Sequence, residues 1–375
     1  MIRLLTIIGA RPQIIKAAAI SRSVRTHFAD RVEERILHTG QHYDDNMSEV
    51  FFRELGIPSP DYNLHVGSGS HGVQTARIIE GIEKVLMEQH YDGVIVYGDT
   101  NSTLAAAVSA SKIHVPVFHI EAGLRSFNMS MPEEVNRIVC DQLSSILFAP
   151  TATAIQNLRS EGFDGIKNRV RFQNGKGQRV VLSGDVMYDN SMHFSAMADG
   201  RSDIIERLGL KSKQFVLATI HRPANTDNAE NLHAILRALS DIASTGIEVV
   251  LPCHPRTKKK IGDFGIRLDD YRIRLIDPAS FFEIIRLEKN AQVVMTDSGG
   301  VQKEAFFYGT PCVILRSETE WVEIVEAGAG ILADADYERI MRAYQELSGR
   351  EVTFPPLFGD AHSSEKILEE IVAYL

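Results

Sequence analysis

Residues 292–308 read QVVMTDSGGVQKEAFFY. Gln292 to Thr296 is short, apolar and rich in β-branched residues, whereas Val301 to Tyr308 carries apolar residues at helical spacing. Asp297-Ser298-Gly299-Gly300 therefore falls where a buried strand hands over to a helix. Two adjacent glycines there let a phosphate approach the first helical N–H groups without meeting a Cβ. No Walker-type lysine follows. Glu304 lies one helical turn further on, where a carboxylate can accept hydrogen bonds from a ribose diol, as the acid of a dinucleotide fold does. The same residues also suit an ordinary N-cap and turn with a surface Glu, so the segment has to be read with the rest of the chain.

The pattern repeats along the chain. LLTIIG (4–9), ERILHTG (34–40), GVIVYGD (93–99) and VPVFHIEAG (115–123) are each followed by an amphipathic stretch. After a pause near 160–190 the pattern restarts with QFVLATIHR (214–222), EVVLPCHP (248–255), YRIRLIDP (271–278) and TPCVILRS (310–317). Alternating strand and helix predicts α/β domains with parallel sheets covered on both faces. Two Rossmann-like doubly wound halves follow, with residues 1–187 as the first domain and 188–359 as the second. Ligands of such sheets bind beyond the carboxyl ends of the strands, and the polar residues collect there in both halves, which predicts an interdomain ligand cleft.

The chain has 375 residues, 44% of them hydrophobic and 24% charged, enough for two cores. A formal net charge of −9 without a long basic block argues against a surface that tracks nucleic-acid phosphates. Cys140, Cys253 and Cys312 are odd in number and lack CxxC spacing, which speaks against a disulfide framework or a zinc site and fits a reducing cytoplasm. The apolar run of MIRLLTIIGARPQ is stopped by Arg11-Pro12, too soon for a signal peptide or membrane span, and reads as a first strand.

Gly67-Ser68-Gly69-Ser70-His71-Gly72 matches GxGxxG, but it follows DYNLHV rather than a first buried strand, so it reads as a loop before a helix and no nicotinamide cofactor is expected. Asp99 and Glu121 each end an apolar strand beside glycine. Carboxylates gathered in a cleft can be pushed to different pKa values and divide acid and base roles. Glu133 and Glu134 follow Pro132, where the helix dipole alone favours acids. No HExxH or comparable cluster occurs, so no metal is expected. Arg11, Lys16, Arg222 and Arg256 are available to neutralise a diphosphate.

Taken in order, GARPQIIK (9–16), TGQHYD (39–44), YGDTNSTLAAA (97–107), HIEAGLRS (119–126), PEEVNRIVCD (132–141), HR (221–222), CHPR (253–256) and DSGGVQKEA (297–305) resemble the non-hydrolysing UDP-N-acetylglucosamine 2-epimerase family. The likeness runs from Gly9 to Glu323. It implies a glycosyltransferase-B-like pair of domains acting on a UDP-sugar without cofactor or metal, with the C-terminal helix (360–375) returning to the first domain, and it suggests a homodimer. By motif position, Asp99, Glu121 and Glu133 are the acid/base candidates, with His221 and Arg11 at the diphosphate. Lys16 and Arg222 add charge, Ser298, Gly299 and Gly300 cradle phosphate, and Glu304 holds the ribose. Gln41, His42, Arg77 and His254 match positions where bacterial members bind a second UDP-GlcNAc as activator.

The chain also departs from the family. It has GARPQ for GTRPE, HRPA for HRRE, QKE for QEE and SETEWVE for TTERPE. These departures resemble the branch acting on UDP-2,3-diacetamido-2,3-dideoxyglucuronate, whose sugar carries a carboxylate; Gln13 and Ala224 in place of acids would lessen repulsion of that anion. Both that sugar and UDP-GlcNAc remain open. The resemblance implies C2 epimerisation, UDP-GlcNAc to UDP-ManNAc in the family's case, by anti elimination of UDP to a 2-acetamidoglucal and re-addition. A hydrolysing 2-epimerase shares the elimination, a GT-B glycosyltransferase shares the fold, and a UDP-sugar sensor shares the binding residues.

Overall fold

The computed structural model describes residues 1–41, 56–163, 175–253 and 255–375. His42 and His254 lie outside the described residues. Two compact units emerge, Met1–Asn190 with Pro356–Leu375, and Ser191–Pro355.

In the first unit the described strands are β1 (Ile2–Ile8), β2 (Val32–His38), β3 (Tyr62–Asn63), β4 (Gly93–Tyr97), β5 (Val117–Ile120), β6 (Ile146–Ala149) and β7 (Arg179–Leu182). They form one parallel sheet in the order β3-β2-β1-β4-β5-β6-β7. Leu5, Ile7, Val94 and Val96 are fully buried against a layer that includes Ile78, Ile82, Ala105 and Ala106. The alanines let helix Asn101–Lys112 lie close to the sheet, because each removes side-chain bulk at no cost in helix propensity. The C-terminal helix Ser363–Tyr374 belongs to this unit. Its free N-terminal amides at Ser363 and Ser364 donate to the Asp189 carboxylate at 3.0 and 2.7 Å. Tyr374 at its other end is fully buried and meets Phe118 edge to face.

The second unit repeats the winding. β8 (Phe215–Thr219), β9 (Glu248–Pro252), β10 (Arg274–Ile276), β11 (Val293–Thr296), β12 (Cys312–Ile314) and β13 (Gly330–Leu332) form a parallel sheet in the order β10-β9-β8-β11-β12-β13. Val216, Ala218, Val293 and Met295 face helix Ala229–Ser244 through Leu232, Leu236 and Leu239.

In each sheet the order reverses between the first and fourth strands of the unit, β1 and β4 in one and β8 and β11 in the other. At such a switch point the helices on either side leave in opposite directions and open a crevice at the strand ends. The GxGxxG segment does not follow β1; Gly67 to Ser70 form the loop and N-cap before helix His71–Glu88, and His71 and Gly72 open that helix, two residues earlier than the loop reading placed its start.

Candidate active site

At the first switch point β1 ends at Ile8, and helix Arg11–His27 begins two residues later. Gln13 in its first turn is buried and fully bonded. Its side-chain oxygen accepts from Gly9 N at 2.9 Å and Ala10 N at 3.1 Å, and its amide nitrogen donates to Tyr97 O and Thr103 Oγ1, each at 3.0 Å. A glutamate could not make the last two donations. The glutamine is therefore also matched to its own scaffold. Arg11 is exposed at the mouth of this turn.

Lys16, one turn further on, pairs with Glu121, which follows β5. Glu121 holds φ +71°, a left-handed conformation that costs an L-residue with a side chain about 1 kcal/mol or more. Gly98, after β4, also has positive φ, and a Cβ there would stand 3.0 Å from Glu121 Oε2 and 3.2 Å from Lys16 Nζ. A glycine is needed at 98 both for its backbone and for the room it leaves to the ion pair. Asp99 pairs with Arg137, whose other nitrogen reaches Glu134 at 2.8 Å. Burial pushes the Asp99 carboxyl above the usual carboxylate range, as does the nearby Glu121, while Arg137 and Lys16 pull it back. The result is a compact set of two acids and two cations with one acid made more basic than usual.

The neighbouring Glu133 and Glu134 have different fates. Glu133 is exposed in the first turn of helix Pro132–Leu143. Glu134 is buried and accepts from Ser126 N, Ser126 Oγ and Phe127 N as well as from Arg137. Burial works against its charge, but these donors hold its carboxyl below the usual range. Behind them, His119 is fully buried with Nδ1 2.7 Å from Asp141 and Nε2 2.8 Å from Gly98 O. With both ring nitrogens facing acceptors, the doubly protonated ring is favoured. Burial lowers its pKa, but Cys140 and Asp141 raise it well above the ordinary value. Arg125 also binds Asp141, at 2.7 Å, so this buried chain fixes the strand ends that carry Gly98 and Glu121.

At the second switch point, Asp297 is fully buried and collects donors. His221 N, Arg222 N and Asn225 Nδ2 reach it at 3.0 to 3.1 Å, and His221 Nδ1 lies 3.0 Å from Oδ1. Burial raises its pKa, yet the His221 contact and the amide donors outweigh it and leave the carboxylate below its usual range. The half-exposed imidazole is thus anchored through Nδ1 and presents Nε2 outward. Helix Gly299–Phe307 starts here with Ser298 as its N-cap, its Oγ accepting from Val301 N at 3.4 Å. Ser298 N is itself fixed by Thr296 Oγ1 at 2.9 Å. Helix geometry aims the first-turn N–H groups beyond the helix end. Glu304 follows on the same helix, partly buried. Burial, and then the neighbouring Arg316, lower the pKa of the Arg222 guanidinium, so the two cations stand close together.

This arrangement has two complementary centres at matching switch points. One is rich in paired charge, and the other offers backbone N–H groups, histidine and arginine to an anion. A model of the UDP-N-acetylglucosamine 2-epimerase family matches residues 25–372. The chain belongs to that family. The resemblance seen in the eight motifs is borne out, and with it the isomerase class and the two-domain glycosyltransferase-B-like α/β fold. Among its epimerase relatives, the UDP-2,3-diacetamido-2,3-dideoxy-D-glucuronate 2-epimerase of Pseudomonas aeruginosa is 47% identical over 369 residues, 98% of each chain. The Methanocaldococcus jannaschii UDP-GlcNAc 2-epimerase, solved in complex with UDP-GlcNAc and UDP, is 38% identical with a TM-score of 0.83 over 100% of both chains. Phytolacca americana UGT2, at 12% identity and a TM-score of 0.62 over 100% of this chain and 99% of that one, shares the fold alone.

Among the expected residues, the structure brings Lys16, Asp99 and Glu121 into one cluster and His221, Arg222, Ser298, Gly299 and Gly300 into another. Gln41 is buried, accepting from Ser102 N at 3.2 Å and Ser102 Oγ at 2.8 Å, and Arg77 is exposed on helix His71–Glu88. Sequence reasoning passed over Arg137, although its i, i+3 and i, i+4 spacing from Glu134 and Glu133 could have marked it. Asp297 carries no legible role in the sequence, because the acid's partners come from a strand end 75 residues away. Among the described residues no group of three or more His, Cys, Asp or Glu is placed to hold a metal ion, and no helix is long and apolar enough to cross a membrane.

Proposed function

We propose that the chain inverts C2 of a UDP-activated 2-acetamido sugar, with the second unit holding UDP and the first supplying acid and base. The observation that carries this reading is the Asp99, Glu121, Lys16 and Arg137 cluster at one switch point, matched by the anion-receptive His221, Arg222 and Ser298–Gly300 at the other.

In the proposed reaction a carboxylate of the Asp99/Glu121 pair removes the C2 proton. The C–H electrons form a C1–C2 double bond, and the C1–O bond breaks with its electron pair leaving on UDP. UDP then adds back through the same oxygen to C1 while a proton reaches the opposite face of C2. Asp99 suits the base, because burial makes it a stronger proton acceptor than an ordinary aspartate. Lys16 and Arg137 hold the two carboxylates apart in charge and place. Leaving UDP is stabilised by helix N–H groups, His221 and Arg222, with Arg11 and Glu304 contributing to the diphosphate and the ribose.

Of the two sugars left open above, UDP-2,3-diacetamido-2,3-dideoxyglucuronate is supported by the 47% identical Pseudomonas aeruginosa relative and by the departures at Ala224, Lys303 and Trp321. The test is proton NMR of the purified protein with each UDP-sugar in D2O. Conversion to the C2 epimer with deuterium at C2, faster for the diacetamido-glucuronate, is expected. Binding of UDP without C2 exchange in either sugar would overturn the reading in favour of a transferase or a sensor.

A further inference from the structure

Two of the chain's departures from the family pattern touch each other. Lys303 stands where the family commonly has the middle Glu of QEE, and Trp321 stands where it has the Arg of TTERPE. Lys303 is 3% exposed and Trp321 4%, and the ammonium lies 4.0 Å from the centroid of the indole ring. Removed from water, a cation over an indole face is at the strong end of its kind. An acid and an arginine at the same two positions would form an ion pair. The two departures are therefore one exchange, in which a neutral charge pair becomes a cation on an aromatic face.

The contact has a mechanical consequence. Next to it, Thr319 Oγ1 donates to Gln302 Oε1 at 2.7 Å and accepts from Trp321 N at 3.2 Å. Residues 302 and 303 of the helix thus grip residues 319 and 321 of the segment that follows β12. That segment carries Arg316, paired with Glu320 at 2.9 Å, and a Cβ on Gly299 would collide with Glu320 Oε1. So the grip lays Arg316 and Glu320 across the first turn of the helix that starts at Ser298. The exchange also adds a positive charge within one turn of it.

We infer that Lys303 and Trp321 act as one specificity-determining pair, positioning the 316–321 segment and its Arg316 so that the site prefers a UDP-sugar bearing a carboxylate on the sugar to a neutral one. This rests on the UDP-sugar reading above. Trp321 is the chain's one tryptophan, so its emission reports on this segment alone.

The experiment is a swap cycle in the full-length protein, comparing wild type, Lys303→Glu, Trp321→Arg and the double variant on both UDP-sugars by C2 epimerisation. Each single change sets like against like, a carboxylate on the electron-rich indole face or two cations together, and is expected to lose about tenfold in kcat/KM. The double variant should recover activity and move the ratio of kcat/KM values about tenfold toward UDP-GlcNAc. Trp321→Phe, which keeps an aromatic face, should retain the wild-type preference and guards against misfolding of the harsher variants. A double variant no better than the singles, or one that recovers with its preference unchanged, would overturn the inference. UDP titration of the wild type, followed by calorimetry and by tryptophan emission, separates this from the parent reading. Absence of UDP binding refutes both, whereas UDP binding with unaltered emission refutes the pair alone.

Discussion

The two units share a winding order yet furnish their switch points in opposite ways. In the first, the strand ends carry full charges packed against one another, Lys16 on Glu121 and Arg137 on Asp99, and one of the acids sits on a left-handed backbone. In the second, the strand ends carry glycines, a capping serine and a histidine anchored by a buried aspartate. Strain and crowded charge suit groups that must change protonation during a reaction, because neighbours then set their pKa values. Backbone N–H groups cannot titrate, and they suit a ligand held at constant charge. One sheet geometry thus yields a reactive centre or a holding centre, according to what the loops present.

The sharpest way to break this contrast is to damage each centre separately. Glu121→Gln keeps the side chain's shape and removes its charge, and kcat should fall by about 10²- to 10⁴-fold with UDP affinity nearly unchanged. Gly299→Val, whose Cβ would meet Glu320, should instead weaken UDP binding by tenfold or more, about 1.4 kcal/mol. Stopped kinetics and calorimetry on both variants decide it. If each variant damages both quantities alike, the division of labour is wrong.

A smaller effect sharpens the electrostatics. Arg137 pulls down an Asp99 carboxyl that burial has raised, so Arg137→Gln should raise it further. If Asp99 acts as base, the ionised form is the active one, and activity is lost as pH falls through its pKa. The acid limb of kcat/KM should then move to higher pH in the variant. An acid limb that stays in place would remove Asp99 from the role of base.

The smallest effect concerns strain alone. Glu121→Gly and Glu121→Ala both delete the carboxylate, but only glycine relaxes at φ +71°. The glycine variant should be more stable than the alanine variant by about 1 kcal/mol in urea unfolding. Equal stability would show that the backbone at Glu121 is unstrained.

Much of this was legible in the chain itself. Strand identity followed from short β-branched runs, and the helix start at Gly299 followed from the Ser-Gly-Gly that ends one of them. Asp99 and Glu121 stood out as charges at the ends of apolar runs, a position that packing alone does not explain. These are local signals, carried by residues within a few positions of one another, and they determined the α/β class, the strand-end location of the candidate sites and most of the candidate residues gathered there. Partnership was decided only by the tertiary structure. Lys16 meets Glu121 across 105 positions, Asp297 anchors His221 across 76, and Gln13 is satisfied by groups 84 and 90 residues away. Glu133 and Glu134, adjacent in sequence and alike in chemistry, were separated by the helix rotation between them, which turns one toward solvent and the other into the donors of Ser126 and Phe127. Hydrogen bonds and ion pairs of this kind depend on the register of parallel strands brought together by crossover helices. No short window of sequence contains that register.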